Sequence, residues 1–212
     1  MKRSAVLEGA FRHFRSRRMR MFERTFALTS RTRVLDVGGS SQIWNFVSVR
    51  PRLTIANLPS AFAAEEPDDN HVAADGCLLP FRDGSFDIVF SNSVIEHVGS
   101  EANQQRFADE VARVGRRYWV QTPNRLAPFE MHAMLPFVHL LPKRWQSTLI
   151  RKFTPWELLV HPTEAQKEYF YNHVVQDLRL LDENELRSLF PGAQIMNERV
   201  LGVPKSLLAV RA

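Results

Sequence analysis

Short apolar runs alternate with turn-forming residues from residue 33 onward, and this pattern predicts strands separated by helices. Five runs have the composition of buried strands, and they span residues 33–37, 53–57, 71–74, 86–91 and 118–121. One helix is expected from Gln42, and another, with Ser100 as its cap and Gly115 just past its end, precedes the fifth strand. Strands that alternate with helices are typical of a parallel sheet covered on both faces.

The C-terminal part of the chain has a different pattern. Asp182 and Glu185 have the spacing of a capping box at the start of a short helix that ends before Pro191. Two strand-like runs follow, residues 194–201 and 206–211, and the turn between them contains glycine and proline. We expect these runs to pair as an antiparallel hairpin that closes one edge of the sheet. The fold class is therefore α/β, with a doubly wound sheet and a C-terminal hairpin.

A segment rich in aromatic and basic residues follows the fifth strand. Within residues 124–160 four prolines divide it into short pieces, and Trp145 and Trp156 lie among its bases. In a doubly wound domain this segment begins at the carboxyl end of a strand, on the rim where ligands bind. We therefore divide the chain into a basic N-terminal helical segment, residues 1–32, and one domain, residues 33–212, with a lid insertion at 124–180.

The positive charge is concentrated at the N-terminus. Residues 1–33 hold ten Lys and Arg against Glu8 and Glu23, so their sum is +8, and the rest of the +5 chain sums to −3. Such a segment could contact phosphate, anionic lipid or nucleic acid. It could equally be a solvated helix that packs its apolar residues onto the domain, namely Phe11, Phe14, Met21, Phe22 and Phe26.

The single cysteine, Cys77, excludes an internal disulfide framework and a multi-cysteine zinc site, and it suits a reducing compartment. His132 and His139 are seven residues apart, but Pro136 lies between them and no third ligand is evident, so no metal site is predicted. Neither a secretory signal nor a spanning helix is readable. A cytoplasmic location is expected, with peripheral contact at the inner membrane face left open.

Polar residues and glycines follow the ends of four predicted strands. Asp36 and the pair Gly38-Gly39 end the first strand, Asn57 ends the second, Asp75 follows the third and Asn92 follows the fourth. An acid followed by glycines and a helix lets a ligand approach backbone N–H groups at the helix start. The acid expected at the second strand end of a dinucleotide fold is here Asn57, and a third glycine is missing, which argues against a nicotinamide dehydrogenase.

Two sequence blocks resemble the class I S-adenosylmethionine-dependent methyltransferases, of the type-11 group that acts on small substrates. They are VLDVGG at residues 34–39 and DGCLLPF with DGSFDIVFSNSVIEHV between Asp75 and Val98. The string QTPNR at 121–125 is similar to a bacterial branch of that group. The resemblance implies a Rossmann-like sheet of seven strands, mostly parallel, and S-adenosylmethionine as cofactor. Ser40 and Gln42 stand where the family commonly has glycines.

The resemblance also implies roles for individual residues. Asp36 would favour the positively charged amino acid end of the cofactor, and Gly38 and Gly39 would let the backbone approach it. Asn57 would hold the ribose, Asp75 with the Gly76 backbone would hold adenine, and Asn92 would lie near the methionine moiety. The resulting set of cofactor-binding residues is Asp36, Gly38, Gly39, Asn57, Asp75, Gly76 and Asn92.

Methyl transfer from a sulfonium is an in-line displacement that requires a base only if the nucleophile must lose a proton. His97 is the nearest titratable candidate, and His132 with Glu130 is a second one; for each of them a structural role is the alternative. We expect a small-molecule, glycan or lipid-linked acceptor methylated on oxygen or nitrogen. Two alternatives are a degenerate cofactor-binding or partner-binding module without turnover, and an RNA methyltransferase that uses the basic N-terminus.

Overall fold

The computed structural model describes residues 5–60, 70–130, 135–138, 141–142, 145–146, 163, 178–200 and 202–212. Helices α1 (Ala5–Phe26), α2 (Glu101–Val114) and α3 (Glu183–Leu189) accompany nine strands. The strands are β1 (Arg33–Val37), β2 (Arg52–Asn57), β3 (His71–Ala73), β4 (Phe86–Asn92), β5 (Gly115–Pro123), β6 (Phe129–Glu130), β7 (Leu135–Pro136), β8 (Gln194–Val200) and β9 (Val203–Arg211). Two short 3-10 helices span Ser41–Phe46 and Ile95–His97.

Seven of these strands form one sheet in the order β3-β2-β1-β4-β5-β9-β8. Strands β1 to β5 pair in parallel, and β9 pairs antiparallel with both β5 and β8. The predicted seven-stranded, mostly parallel sheet with an antiparallel C-terminal hairpin is confirmed. The strand order reverses between β1 and β4, since β2 and β3 lie on one side of β1 and β4 and β5 on the other. In open α/β sheets, ligands bind at the carboxyl ends of the strands at such a reversal.

Each face of the sheet packs against its own hydrophobic cluster, because side chains alternate between faces along a strand. One face, which includes Leu35 and Val89, packs against the apolar sides of α2 and α3. The opposite face, which includes Val34 and Phe90, packs against α1 through Phe22 and other fully buried side chains. We call this second face the α1 face. Burial of these large side chains on both faces supplies most of the stabilisation of the fold.

Helix α1 is part of this core, and it also carries exposed bases. Met19, Phe22 and Phe26 are buried against the sheet, so the packing alternative for the N-terminal segment holds for this part of the helix. Arg12 and Arg17 are among its exposed arginines. The two interpretations of the segment are therefore compatible, because they concern different sides of one helix.

Local signals place the ends of the other helices. The Ser100 side chain accepts a hydrogen bond from the Asn103 N–H, and Asp182 and Glu185 form the predicted capping box. The helix expected from Gln42 is a 3-10 helix of six residues, which begins at Ser41 without a side-chain cap. Its Trp44 is drawn into the core on the α1 face, a tertiary contact that competes with regular helix geometry.

Only part of the predicted lid insertion lies within the described residues, where β6 and β7 pair as a short antiparallel ribbon. Four large apolar side chains of this part are exposed, namely Leu126, Phe137, Leu141 and Trp145. Over the described part of the chain, no helix combines the length and apolar character needed to cross a membrane.

Candidate functional site

A cavity of about 400 Å³ opens at the carboxyl ends of β1, β2 and β4, where the strand order reverses. This volume is within the range of small-molecule sites. Its polar lining comes from the glycine turn, the ends of β2 and β3 and the segment after β4, and consists of Gly38, Asn57, Asp75, Gly76, Ser93, His97 and Asn103. Apolar side chains, among them Val37, Val94 and Phe107, complete the wall.

Gly38 makes the sharp turn after β1 and permits close packing of the next loop. Its φ is +76°, a conformation that side-chain-bearing residues rarely adopt. A Cβ atom at this position would lie 2.5 Å from the Cγ2 atom of Val94. Its N–H donates to the carbonyl of Ala56 at 2.8 Å, which fixes the turn against β2. The position therefore requires glycine for two independent reasons.

Asn57, at the end of β2, connects two loops of the cavity wall. Its Nδ2 donates to the Gly39 carbonyl at 3.1 Å, and its Oδ1 accepts from the Leu58 N–H at 3.1 Å. A side-chain amide has two N–H donors and two acceptor lone pairs. One donor and one lone pair therefore remain for a ligand in the cavity, while the residue holds the glycine turn in place.

Asp75 and Gly76 form the part of the wall that follows β3. The exposed carboxylate of Asp75 accepts from the Cys77 N–H through Oδ1 at 2.8 Å, and this turn sets the path of the chain. A Cβ on Gly76 would lie 2.8 Å from the ring of Phe107, so glycine is needed for the approach to α2. Burial, followed by the charge of Asp75, raises the pKa of the Cys77 thiol to about 11, so this thiol is neutral.

Ser93 and His97 contribute the wall after β4. Ser93 has φ of +60°, and strain of this kind is often found at functional sites. Its N–H donates to the Gln121 carbonyl at 2.9 Å, and its Oγ donates to Gln121 Oε1 at 3.1 Å. His97 ends the second 3-10 helix and is partly buried. Ser93 was not among the predicted site residues, because its strained backbone is not readable from residue types.

Asp36 lies beneath the glycine turn on the α1 face. Its side chain is fully buried, Oδ2 accepts from Trp44 Nε1 at 2.8 Å, and no described residue donates a hydrogen bond to Oδ1. Burial raises the pKa of this carboxyl to about 7, although the Trp44 hydrogen bond lowers it. A Cβ on Gly39 would lie 2.0 Å from Oδ2, so the Asp36 carboxyl supports the turn from below. It is not part of the cavity lining.

Asn92 also lies on the α1 face, at the end of β4. Its Oδ1 accepts from Arg18 Nη1 at 2.5 Å, and Arg18 in turn pairs with Glu198 of β8. The structure thus brings Gly38, Asn57, Asp75, Gly76 and His97 to one cavity. It places Asp36, Gly39 and Asn92 outside the lining, and His132 lies outside the described residues. The alternation of side chains along a strand turns Asp36 and Asn92 to the α1 face, and their roles toward the cofactor stay predictions.

Trp44, Gln121 and Arg18 support the site from the α1 face, and the sequence analysis assigned them no role. The support that Trp44 and Gln121 give to the site depends on residues that are their neighbours only in the folded protein. Arg18 is one of ten bases in its segment, and nothing local distinguishes it from the others. In the described residues, no group of three potential metal ligands is found.

The strand order, the antiparallel hairpin and the position of the cavity define a Rossmann-like domain. Residues 52–117, about a third of the chain, match a family model described as a methyltransferase domain. No curated protein matches the chain by sequence. The family match over this part of the chain and the fold confirm the resemblance stated above and support an enzyme of the methyltransferase kind.

Solved structures resemble the chain at low identity. Magnesium protoporphyrin IX methyltransferase from Synechocystis PCC 6803, solved with bound SAH, has 11% identity and a TM-score of 0.52, and the match covers 100% of this chain and 90% of that one. The methyltransferase CalH, solved with SAH, has 13% identity and a TM-score of 0.50, covering 87% and 52%. A Rhodobacter sphaeroides protein whose description names Zn-dependent alcohol dehydrogenases has 14% identity and a TM-score of 0.52, covering 85% and 83%. These likenesses concern the fold.

Proposed function

We propose that the protein transfers a methyl group from S-adenosylmethionine to an oxygen or nitrogen atom of a small-molecule, glycan or lipid-linked acceptor. The observation that carries the proposal is the cavity itself, in which Gly38, Asn57, Asp75 and Gly76 meet at the reversal point of the sheet. When bound, this cofactor supplies an electrophilic methyl group on a sulfonium. The protein's own contribution is then to bind, to orient and to exclude water.

The cavity lining fits the chemical groups of this cofactor. Asp75 offers a carboxylate acceptor for an adenine amino group, and the backbone of Gly76 lies beside it. Asn57 retains one donor and one lone pair for ribose hydroxyls. The Val94 and Phe107 side chains provide apolar surface for the base and for the carbon chain of the methionine moiety. Asp36 would act through the glycine turn above it rather than by direct contact.

His97 is the candidate base for an acceptor that must lose a proton. Among the described residues, it is the only histidine that lines this cavity, and it lies on the segment that follows β4. Alignment of acceptor and methyl group supplies most of the rate, up to about 7–11 kcal/mol, and a base adds about a hundredfold or more. If His97 is the base, His97→Ala lowers turnover at least tenfold and leaves SAH affinity within about twofold, whereas a packing role predicts unchanged turnover.

The acceptor site is proposed on the rim beside the cavity. Helix α1 runs antiparallel to β4 and β5, because Arg18 lies at their carboxyl ends while Phe26 lies against Arg117 near the start of β5. The part of α1 before Arg18, with exposed Arg12 and Arg17, therefore extends past the same edge from which the insertion departs. Exposed Phe137 and Trp145 on that insertion, together with these bases, suit an amphipathic acceptor or an anionic membrane surface.

Two measurements test the cofactor assignment. Isothermal titration of the purified protein with S-adenosylmethionine and SAH should give saturable binding, and no binding at millimolar cofactor would refute the proposal. Thermal unfolding should be shifted upward by either compound and not by NAD at the same concentration. Incubation with methyl-labelled cofactor and fractionated extract then asks which fraction takes up label, and an enzyme without turnover would label none.

Liposome co-sedimentation tests the proposed contact with an anionic membrane surface. Vesicles with anionic lipid should pellet the wild-type protein, and Arg12→Gln, Arg17→Gln and Arg20→Gln together should release it. The matched control replaces three exposed arginines elsewhere, Arg50, Arg52 and Arg82, and has the same net charge. Equal pelleting of both triple variants, or no lipid-dependent pelleting of wild type, removes membrane contact from the proposal.

A further inference from the structure

The guanidinium of Arg18 occupies a built polar site on the α1 face. Only 7% of the residue is exposed, and its guanidinium contacts residues of β4, β5, β8 and, through Ser206 Oγ at 3.5 Å, β9. Its Nε and Nη2 donate to the two carboxylate oxygens of Glu198 at 3.1 and 2.5 Å. Its Nη1 donates to Asn92 Oδ1 at 2.5 Å and to Gln121 Oε1 at 2.9 Å. No other base of the described part of α1 is buried.

The contact with Gln121 reaches the cavity on the opposite face of the sheet. Gln121 is 2% exposed, and its Oε1 accepts from both Arg18 Nη1 and Ser93 Oγ, the latter at 3.1 Å. Two donors on one oxygen fix which end of the side-chain amide faces Ser93. Ser93 must therefore donate to Gln121, and its lone pairs are left for the cavity that it lines.

The strained backbone of Ser93 is also held in place by Gln121. Its φ of +60° is strained for a residue with a side chain, and such a conformation persists only where the surroundings hold it. Both hydrogen bonds that hold it run to Gln121, one to the carbonyl and one to the side chain. Without Arg18 the Gln121 amide could rotate, offer its NH₂ to Ser93 and reverse the direction of that hydrogen bond.

We propose that Arg18 is a positioning residue of the methyl-transfer site, which fixes the Gln121 amide and through it the Ser93 hydroxyl at the cavity wall. This inference rests on the proposed function for its meaning, because the wall that Ser93 helps to form is the proposed cofactor site. It makes the N-terminal helix a part of the site rather than an appendage to the domain.

The first test separates positioning from folding with a matched pair of variants. Arg18→Lys keeps a positive charge near Glu198, but a single ammonium cannot span Glu198 and Gln121 as the planar guanidinium does. Glu198→Gln removes the ion pair and leaves the donors of Arg18 on Asn92 and Gln121. Both variants should be less stable than wild type. SAH binding, measured well below the unfolding temperature, should weaken at least tenfold in Arg18→Lys and at most twofold in Glu198→Gln.

A double-mutant cycle tests whether Arg18 acts through Ser93. Ser93→Ala should itself weaken SAH binding about tenfold, and adding Arg18→Lys to it should weaken binding less than twofold further. A full effect of Arg18→Lys in the Ser93→Ala background, or equal effects of Arg18→Lys and Glu198→Gln, would overturn the inference.

Crystal structures of the ligand-free variants give a readout that does not depend on the cofactor. Arg18→Lys should show a rotated Gln121 amide and a displaced Ser93 side chain, whereas Glu198→Gln should show neither. An unmoved Ser93 in Arg18→Lys overturns the inference whether or not SAH binds. Failure of wild type to bind SAH, with Ser93 displaced as expected, would instead count against the proposed function alone.

Discussion

Replacement of Asp36 by Asn tests the buried acid beneath the glycine turn. The Asp36 carboxyl is fully buried, it accepts one hydrogen bond from Trp44, and its pKa is raised to about 7 by burial. Asn keeps the shape and the acceptor for Trp44 but does not ionise. The two proteins should therefore differ in how their free energies of unfolding depend on pH.

The sign follows from proton linkage. Between the ordinary pKa of 3.8 and the folded-state pKa of about 7, the folded protein holds a proton on Asp36 that the unfolded chain has lost. Stability in this window therefore falls as pH rises, by about 1.4 kcal/mol per pH unit, and becomes constant above about pH 7. Over about three pH units the cost reaches about 4 kcal/mol, a large fraction of the 5–15 kcal/mol typical of a domain.

Urea denaturation followed by tryptophan fluorescence, at pH 4.5 to 8.5, measures this difference. The free energy of unfolding of wild type minus that of Asp36→Asn should fall steadily to about pH 7 and then level off. Asp87→Asn is the control, because hydrogen bonding to Arg33 lowers the pKa of Asp87 below its ordinary value of 3.8. Its contribution to stability is lost only below this pH range, so the difference between wild type and Asp87→Asn should stay nearly constant from pH 4.5 to 8.5. Parallel pH profiles for wild type and Asp36→Asn would refute the assignment of a raised pKa to this carboxyl.

Further variants test the glycine turn, the contact made by Asn57 and the cap of α3. Gly38→Ala should cost about 2–4 kcal/mol of stability and abolish SAH binding, because φ is positive and the new Cβ would clash with Val94. The control Gly192→Ala, where φ is +80° but no atom lies within 4 Å, should cost only about 1–2 kcal/mol in the same urea denaturation. Asn57→Ala should lower SAH affinity at least tenfold in calorimetry, because the tie to the glycine turn is lost, and unchanged affinity would remove Asn57 from the site. Asp182→Ala should lose about 1–2 kcal/mol with the capping box and leave SAH affinity unchanged; a change in affinity would contradict the local role of this cap.

The extent of sequence prediction differs between local and long-range features. The strands, the Ser100 cap and the capping box at Asp182 were predictable because the residues that make them are close in sequence. The confirmed seven-stranded fold needed the resemblance as well, since hydrophobic pattern alone does not place β9 between β5 and β8. Some strands begin or end a few residues away from the predicted positions. Strand β5, for example, extends to Pro123 because it pairs there with β9.

The candidate site likewise combines local features, which the sequence predicts, with long-range features, which it does not. The polar strand ends and the glycine turn can be read from the sequence, because they are properties of short segments. The face that each side chain takes depends on the folded sheet, in which Asp36 and Asn92 point away from the cavity that Asn57 and Asp75 line. The burial of Arg18 distinguishes it from the neighbouring bases, and it depends on contacts with residues up to 188 positions away. Contacts across such separations are set by the packing of whole elements, which no local pattern encodes.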